Sequence, residues 1–186
     1  MVDTIQKTKY WLLNDGQFKS RIVINCAGLY GDYVEKICID QQGFSRSKFV
    51  IQPRIGQFLG YSLSTSELPI KSIMLPLLTK FTKIIIIYLN LLNKIIIELT
   101  GEPQIHRSKA PIRSEINNKL YSKITELIPT FSELNYEHVR LYTGIRPVTE
   151  YSDYQIESYN DLQLICSGGI CSTGLSSSLA IGGIYL

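Results

Sequence analysis

The stretch that decides the fold closes the chain: Ser167-Gly-Gly-Ile-Cys-Ser-Thr-Gly-Leu-Ser-Ser-Ser-Leu-Ala-Ile-Gly-Gly183. The residues leading into it, Asp161–Ser167 (DLQLICS), read as a strand. Gly168–Gly174 reads as a glycine-rich loop and Leu175–Leu186 as a helix of small and apolar residues. Without a Cβ, a glycine lets the backbone come close to a ligand. A helix that begins at such a loop points free backbone N–H groups and a partial positive charge at whatever lies in front of it. Ser178, Ala180, Gly182 and Gly183 predict that this helix packs closely against a sheet. Neither GxGxxG nor GxxxxGK[ST] is present, so the spacing alone is more often that of a Gly/Ser turn ending a strand.

A second unit of the same kind lies near the start. Tyr10–Leu13 and Arg21–Asn25 bracket Asn14-Asp15-Gly16, a hairpin signal. Arg21–Asn25 (RIVIN) is nearly continuous in apolar residues, as in a strand buried on both faces. It runs into Cys26-Ala27-Gly28 and then a helical stretch from about Asp32 to Ile39. Strand, small-residue turn and helix is the unit that places a nucleotide at the carboxyl end of a strand.

Between these ends the texture changes. Gln41–Lys48 is polar and reads as a crossing. Phe49–Tyr61 contains two strand-like pieces around Pro53-Arg54-Ile55-Gly56, and further strands are predicted at Ile70–Leu77, Lys83–Tyr88 and Ile95–Leu99. Ile84–Leu99 is greasy but interrupted by Asn90, Asn93, Lys94 and Glu98. It falls short of the roughly 18–20 apolar residues of a membrane span, and reads instead as two buried strands joined by a turn at Asn90–Lys94. Arg107–Arg113 is a loop. Ser114–Pro129 carries Ile116, Leu120, Ile124, Leu127 and Ile128 at helical spacing, with Ser114 as N-cap and Pro129 as terminator. Tyr136–Thr149 is extended. The layout predicts an α/β (α+β) chain in three segments: residues 1–42, an inserted β-rich lobe with one helix over 43–150, and a return over 151–186.

Composition narrows the function classes. The 186 residues are 45% hydrophobic and 19% charged with a net charge of +3, which fits a globular chain and offers no nucleic-acid stripe. The four cysteines form no CxxC pair and lie near neither histidine in sequence, so neither a zinc site nor a disulfide scaffold is indicated. No secretory signal opens the chain. The expected location is cytoplasmic, or mitochondrial if a preceding segment carries a targeting signal.

Four blocks, in order, resemble the D-amino-acid-oxidase-like superfamily of FAD-dependent oxidoreductases, in particular its glycerol-3-phosphate dehydrogenase and L-2-hydroxyglutarate dehydrogenase branch. Val23-Ile-Asn-Cys-Ala-Gly-Leu-Tyr-Gly-Asp32 resembles the block that passes beside the dinucleotide. Pro53-Arg-Ile-Gly-Gln-Phe58 resembles the start of the substrate lobe. Tyr142-Thr-Gly-Ile-Arg-Pro147 with Asp153-Tyr-Gln-Ile156 resembles the block lining the catalytic face. Gly169-Ile-Cys-Ser-Thr-Gly-Leu175 resembles the closing loop, except that Cys171 stands where arginine is common.

The resemblance implies a particular fold: the C-terminal part of a Rossmann-like FAD-binding lobe, with a mostly antiparallel substrate lobe inserted. It implies FAD as cofactor, contacted by Ala27, Gly28, Gly168, Gly169, Ser172, Thr173, Gly174 and Leu175. It implies a small anionic substrate, a 2-hydroxy acid or glycerol 3-phosphate, oriented by Arg146 in a bidentate fork. Tyr142 and Arg54 are further substrate-side candidates, although an aromatic on a strand is more often core and Arg54 could simply anchor a turn between strands. His106 and His138 match no family position and are not assigned a role. The electron acceptor stays open between a quinone and oxygen. The family's opening GxGxxG is missing, so the chain resembles an N-terminally truncated member. A non-catalytic remnant, or an amino-acid or amine oxidase of the same superfamily, stays open beside the dehydrogenase reading. The Ile-rich run at Phe81–Gly101 departs from the family's glycine- and proline-containing pattern.

Overall fold

The structure is a computed structural model, and it describes residues 2–43, 47–63, 70–75, 85–113, 115–133 and 136–184. The chain divides into two compact units: residues 1–53 with 146–186, and residues 54–145.

The first unit carries two three-stranded sheets. One is the antiparallel set β1 (Ile5–Lys7), β2 (Trp11–Leu13) and β3 (Phe18–Ser20). The hairpin turn at Asn14–Gly16 therefore joins Trp11–Leu13 to Phe18–Ser20, and not to Arg21–Asn25 as the sequence indicated. Asn14 and Asp15 both have positive φ, as this turn requires. The chain then breaks at Ser20, whose hydroxyl donates to Ile22 O (2.6 Å) and accepts from Ile22 N (3.3 Å). That local turn frees the next strand to join a different sheet.

The second sheet has the order β4 (Val23–Asn25), β10 (Leu164–Gly168), β9 (Gln155–Tyr159). β4 runs parallel to β10, and β9 antiparallel to it. β4 is not buried on both faces. Val23 packs on the core while Ile24, facing the other way by strand alternation, is 50% exposed. Helix α1 (Gly31–Asp40) buries Gly31, Asp32, Glu35, Cys38 and Ile39, one face at helical spacing. Cys38 and Ile39 join Trp11, Phe49, Ile51, Leu162, Leu164 and Cys166 in the core of this unit. Trp11 is fully buried, and its indole N–H donates to Leu162 O (2.9 Å), which ties the hairpin to the turn before β10. Helix α3 (Gly174–Ile184) behaves differently. Only Ile181 is buried, while Leu175 and Leu179 are more than nine-tenths exposed, so the tight packing predicted from its small residues is absent among the described residues.

The second unit is built on a four-stranded sheet of order β6 (Ile85–Leu89), β7 (Lys94–Pro103), β5 (Ile51–Leu63), β8 (Tyr136–Thr149), with β6–β7 and β7–β5 antiparallel; residues 51–53 of β5 and 146–149 of β8 fall in the first unit. β5 is one continuous strand rather than two pieces. Its ladder to β7 begins at Arg54, so Pro53 owes it no N–H, and the register shifts between Ile55 and Gln57. Gly56 thus marks a bulge, not a break. The Asn90–Lys94 turn joins β6 to β7, with Asn90 Oδ1 accepting from Leu92 N and Lys94 N. The strand predicted at Ile70–Leu77 reduces to a single bridge, Met74 to Ile87, among the described residues. Alternate residues Leu59 and Tyr61, Ile85 and Ile87, and Ile95 and Ile97 face helix α2 (Glu115–Leu127), which answers with Ile116, Leu120 and Ile124. Full burial of each such side chain is worth about 1.5–3 kcal/mol. Pro129 opens a 3-10 turn, and Ser114, the predicted cap, lies outside the described residues. No helix among the described residues is long and apolar enough to cross a membrane.

Candidate functional site at the carboxyl edge of two parallel strands

Because β4 and β10 are neighbouring parallel strands, the loops that leave their carboxyl ends emerge side by side. The first, Cys26–Tyr30, contains Ala27 and Gly28. The second, Gly169–Thr173, leads into α3. Both belong to the first unit.

The first loop is fixed by a buried asparagine. Asn25 Nδ2 donates to Gly31 O (2.7 Å) and to Cys166 Sγ (3.5 Å), while its Oδ1 accepts from Ala27 N (3.2 Å). Asp32, also buried, accepts from Tyr33 N and from Ile51 N, both at 2.9 Å, and so anchors the start of α1. Gly28 takes φ +56°, a conformation that L side chains rarely adopt, and a Cβ built there meets nothing within 4 Å. Its backbone therefore borders open space.

The second loop has a different logic at each position. A Cβ on Gly168 would lie 2.5 Å from Phe49 Cζ, so this glycine makes room for a core ring. Gly169 has φ +69°, and its Cβ position is 3.1 Å from Thr149 Oγ1. Cys171 also has positive φ, and its N–H reaches Pro147 O at 3.4 Å. Ser172, Thr173, Gly174 and Leu175 are all exposed. The Thr173 hydroxyl bonds to Ile170 O (2.9 Å) and to the Tyr154 hydroxyl. Thr173 O accepts from Ser177 N (2.9 Å) and from the Ser176 and Ser177 hydroxyls. The loop is thereby held at the start of α3, whose first-turn amides have no intrahelical acceptor.

Arg146 belongs to the same unit. Burial lowers its pKa, and negative charge at Cys171 would act in the opposite sense. The Cys171 N–H bond to Pro147 O holds the residue next to Arg146 against the closing loop. Tyr142 and Arg54 fall in the second unit. Tyr142 is 39% exposed rather than core and stacks on Phe58, ring centroids 4.7 Å apart. Burial of its hydroxyl, with Tyr88 as neighbour, pushes its pKa up to about 12. Arg54 is exposed and lies within β5, so it anchors no turn between strands. His106 is exposed, and the side chain of His138 lies outside the described residues.

Three residues that shape this region were assigned no role from sequence: Asn25, Phe49 and Tyr154. Tyr154 lies in the Asp153–Ile156 block, yet its partner Thr173 is 19 residues away, a pairing no local pattern reveals.

The family profile described as FAD dependent oxidoreductase matches residues 2–185. The chain is 28% identical over 171 residues to the glycerol 3-phosphate dehydrogenase of Caloramator mitchellensis, covering 91% of this chain and 34% of that one. Among solved structures it is similar in fold to L-alpha-glycerophosphate oxidase from Mycoplasma pneumoniae, with TM-score 0.75 and 20% identity over 97% of this chain and 47% of that one. It is also similar to glycine oxidase from Geobacillus kaustophilus, with TM-score 0.75 and 17% identity over 100% and 46%. The chain thus spans about a third of the curated relative and under half of the solved ones. These likenesses agree with the α/β class and with the FAD-binding fold read from the sequence.

Proposed function

The chain belongs to the FAD dependent oxidoreductase family, and on that premise we propose that it builds the part of a flavin site that meets the charge of the reduced ring. The observation that carries this is the pairing of the Gly28 loop with the Gly169–Thr173 loop and the α3 N-terminus at one carboxyl edge. The residues present fit FAD in one testable respect. The Gly28 backbone borders open space, with no side chain in the way.

When bound, FAD supplies an acceptor for a hydride taken from a substrate carbon. The first-turn amides at Gly174–Ser176 present a partial positive charge that favours an anion in front of them, which raises a flavin's reduction potential. Ala27, Gly28 and Gly169 give the close backbone approach. Gly168 supports the loop indirectly by accommodating Phe49. Arg146, partly buried beside the closing loop, orients the carboxylate or phosphate of a small anionic substrate, a 2-hydroxy acid or glycerol 3-phosphate. The electron acceptor is proposed as a quinone or oxygen.

The test joins this chain to the remaining portion of a family member. Stoichiometric flavin absorbance near 450 nm is expected, along with oxidation of glycerol 3-phosphate or a 2-hydroxy acid. Arg146→Ala should lower kcat/KM for the anionic substrate by about 100-fold. Unchanged kcat/KM would remove Arg146 from substrate binding. Failure to retain flavin would favour a non-catalytic member, and turnover of amines alone would move the substrate class to amino acids.

A further inference from the structure

Between β7 and α2, the loop Gln104–Arg113 (QIHRSKAPIR) carries Arg107, Lys109 and Arg113 and no acidic residue. Its charge of +3 equals the net charge of the whole chain, so the remaining residues sum to zero. Two of these cations, Lys109 and Arg113, line a cleft of about 600 Å³ together with Pro103, Ile105, His106 and Pro111, among others. The cleft is open to solvent, so it suits a ligand that keeps part of its surface in water.

The loop is held in shape. The Gln104 side-chain amide donates to His106 O and to Lys109 O (3.3 Å), stapling the backbone around the cationic residues. Thr143 Oγ1 donates to Ala110 O (2.7 Å), and Arg113 N donates to the buried Gln57 Oε1 (3.3 Å). These bonds tie the loop to β5 and β8. The Arg113 guanidinium already contacts Glu102 (2.9 Å), which fixes it at the rim and leaves part of its fork for a second acceptor. Lys109 has an exposed side chain on the same cleft, and Ile105 is 90% exposed beside it. A fixed backbone limits the ordering cost that ligand binding would otherwise incur.

We propose that this cleft binds a small organic anion: a phosphate monoester or carboxylate joined to an apolar body. The anionic group engages Lys109 and Arg113, and the apolar part lies along Ile105, Pro103 and Pro111. The proposal does not depend on the flavin reading, because every residue it uses lies in the second unit.

Amide NMR of the 186-residue chain, titrated with phenyl phosphate, benzoate and uncharged benzyl alcohol at constant ionic strength, tests it. Saturable shifts centred on residues 104–113 are expected with phenyl phosphate, benzoate or both, and none with benzyl alcohol. A response to phenyl phosphate alone assigns the site to phosphate monoesters; a response to benzoate alone assigns it to carboxylates. Lys109→Glu should weaken binding at least about tenfold, Lys109→Gln by less, and Arg146→Ala should leave it unchanged. Shifts that fail to saturate, follow added chloride equally, centre elsewhere or survive Lys109→Glu would each overturn the site.

Discussion

The ring of Phe49 occupies the place where a side chain on Gly168 would begin: a Cβ there would sit 2.5 Å from Cζ and 2.8 Å from Cδ2. Phe49 is fully buried and also lies 3.6 Å from the Cβ position of Gly31. The ring therefore packs over the last residue of β10 and the first of α1, just below the two loops of the candidate site.

Gly168→Ala is accordingly expected to destabilise the first unit by about 1–3 kcal/mol, the usual cost of overpacking. Chemical denaturation measures this. Phe49→Leu in the Gly168→Ala background should recover part of the loss, because the two substitutions act on one contact and so do not add. Equal stability of Gly168→Ala and the parent would show that the ring moves freely aside.

The thiols divide by environment. Cys38 and Cys166 are fully buried, and desolvation pushes each pKa up to about 12. Cys26 is exposed and Cys171 partly so. Only a thiolate alkylates readily. Iodoacetamide at pH 8 should therefore add two groups to the native protein, at Cys26 and Cys171, and four to the unfolded chain. Peptide mass spectrometry reads the positions, and early labelling of Cys166 would contradict the buried strand.

Much of the frame is readable from pattern alone, because period decides burial. The spacing of Ile116, Leu120 and Ile124 gives α2 and its buried face directly, and the Asn90–Lys94 turn between isoleucine runs gives the β6–β7 hairpin. Errors arise where a residue has two structural meanings. Gly56 reads as a strand break but marks a bulge, and the apolar run Arg21–Asn25 reads as a strand buried on both faces although Ile24 faces outward. In the candidate site, the glycines and Arg146 could be picked out in sequence. The bonds that hold the loops could not, since Asn25 to Cys166 and Tyr154 to Thr173 join residues far apart in the chain.

Glu35 makes stability depend on pH. Its carboxylate is fully buried, accepts from the Tyr159 hydroxyl (2.7 Å) and from Lys48 N (3.2 Å), and is faced by the charge of Glu157. Burial is the largest influence and raises its pKa above 4.5; the bonds from Tyr159, Lys48 and Ser47 oppose it, and Glu157 adds to it. An acid whose folded pKa is raised binds more protons folded than unfolded. Its contribution is therefore full below the unfolded value and falls as pH rises through the folded one. Relative to Glu35→Gln, the parent should lose stability from about pH 4.5 upward, at no more than about 1.4 kcal/mol per pH unit. Parallel stability profiles for the two proteins would show that Glu35 keeps its ordinary pKa on folding.

The Tyr154–Thr173 hydrogen bond ties β9's approach to the residue that opens α3. Tyr154→Phe keeps the ring and removes only that hydroxyl, so global stability should fall by no more than about 1.5 kcal/mol. The local consequence should be larger, because Thr173 O is the acceptor for Ser177 N in the first turn of α3. Hydrogen exchange at Ser177 should accelerate selectively while amides of β10 keep their protection. In the flavin-loaded assembly the same substitution should lower the flavin reduction potential, because a frayed first turn presents its partial positive charge less firmly. Unchanged exchange at Ser177 would mean that the Ile170 carbonyl alone holds Thr173. Faster exchange with an unchanged potential would place the α3 N-terminus away from the charge of the reduced ring.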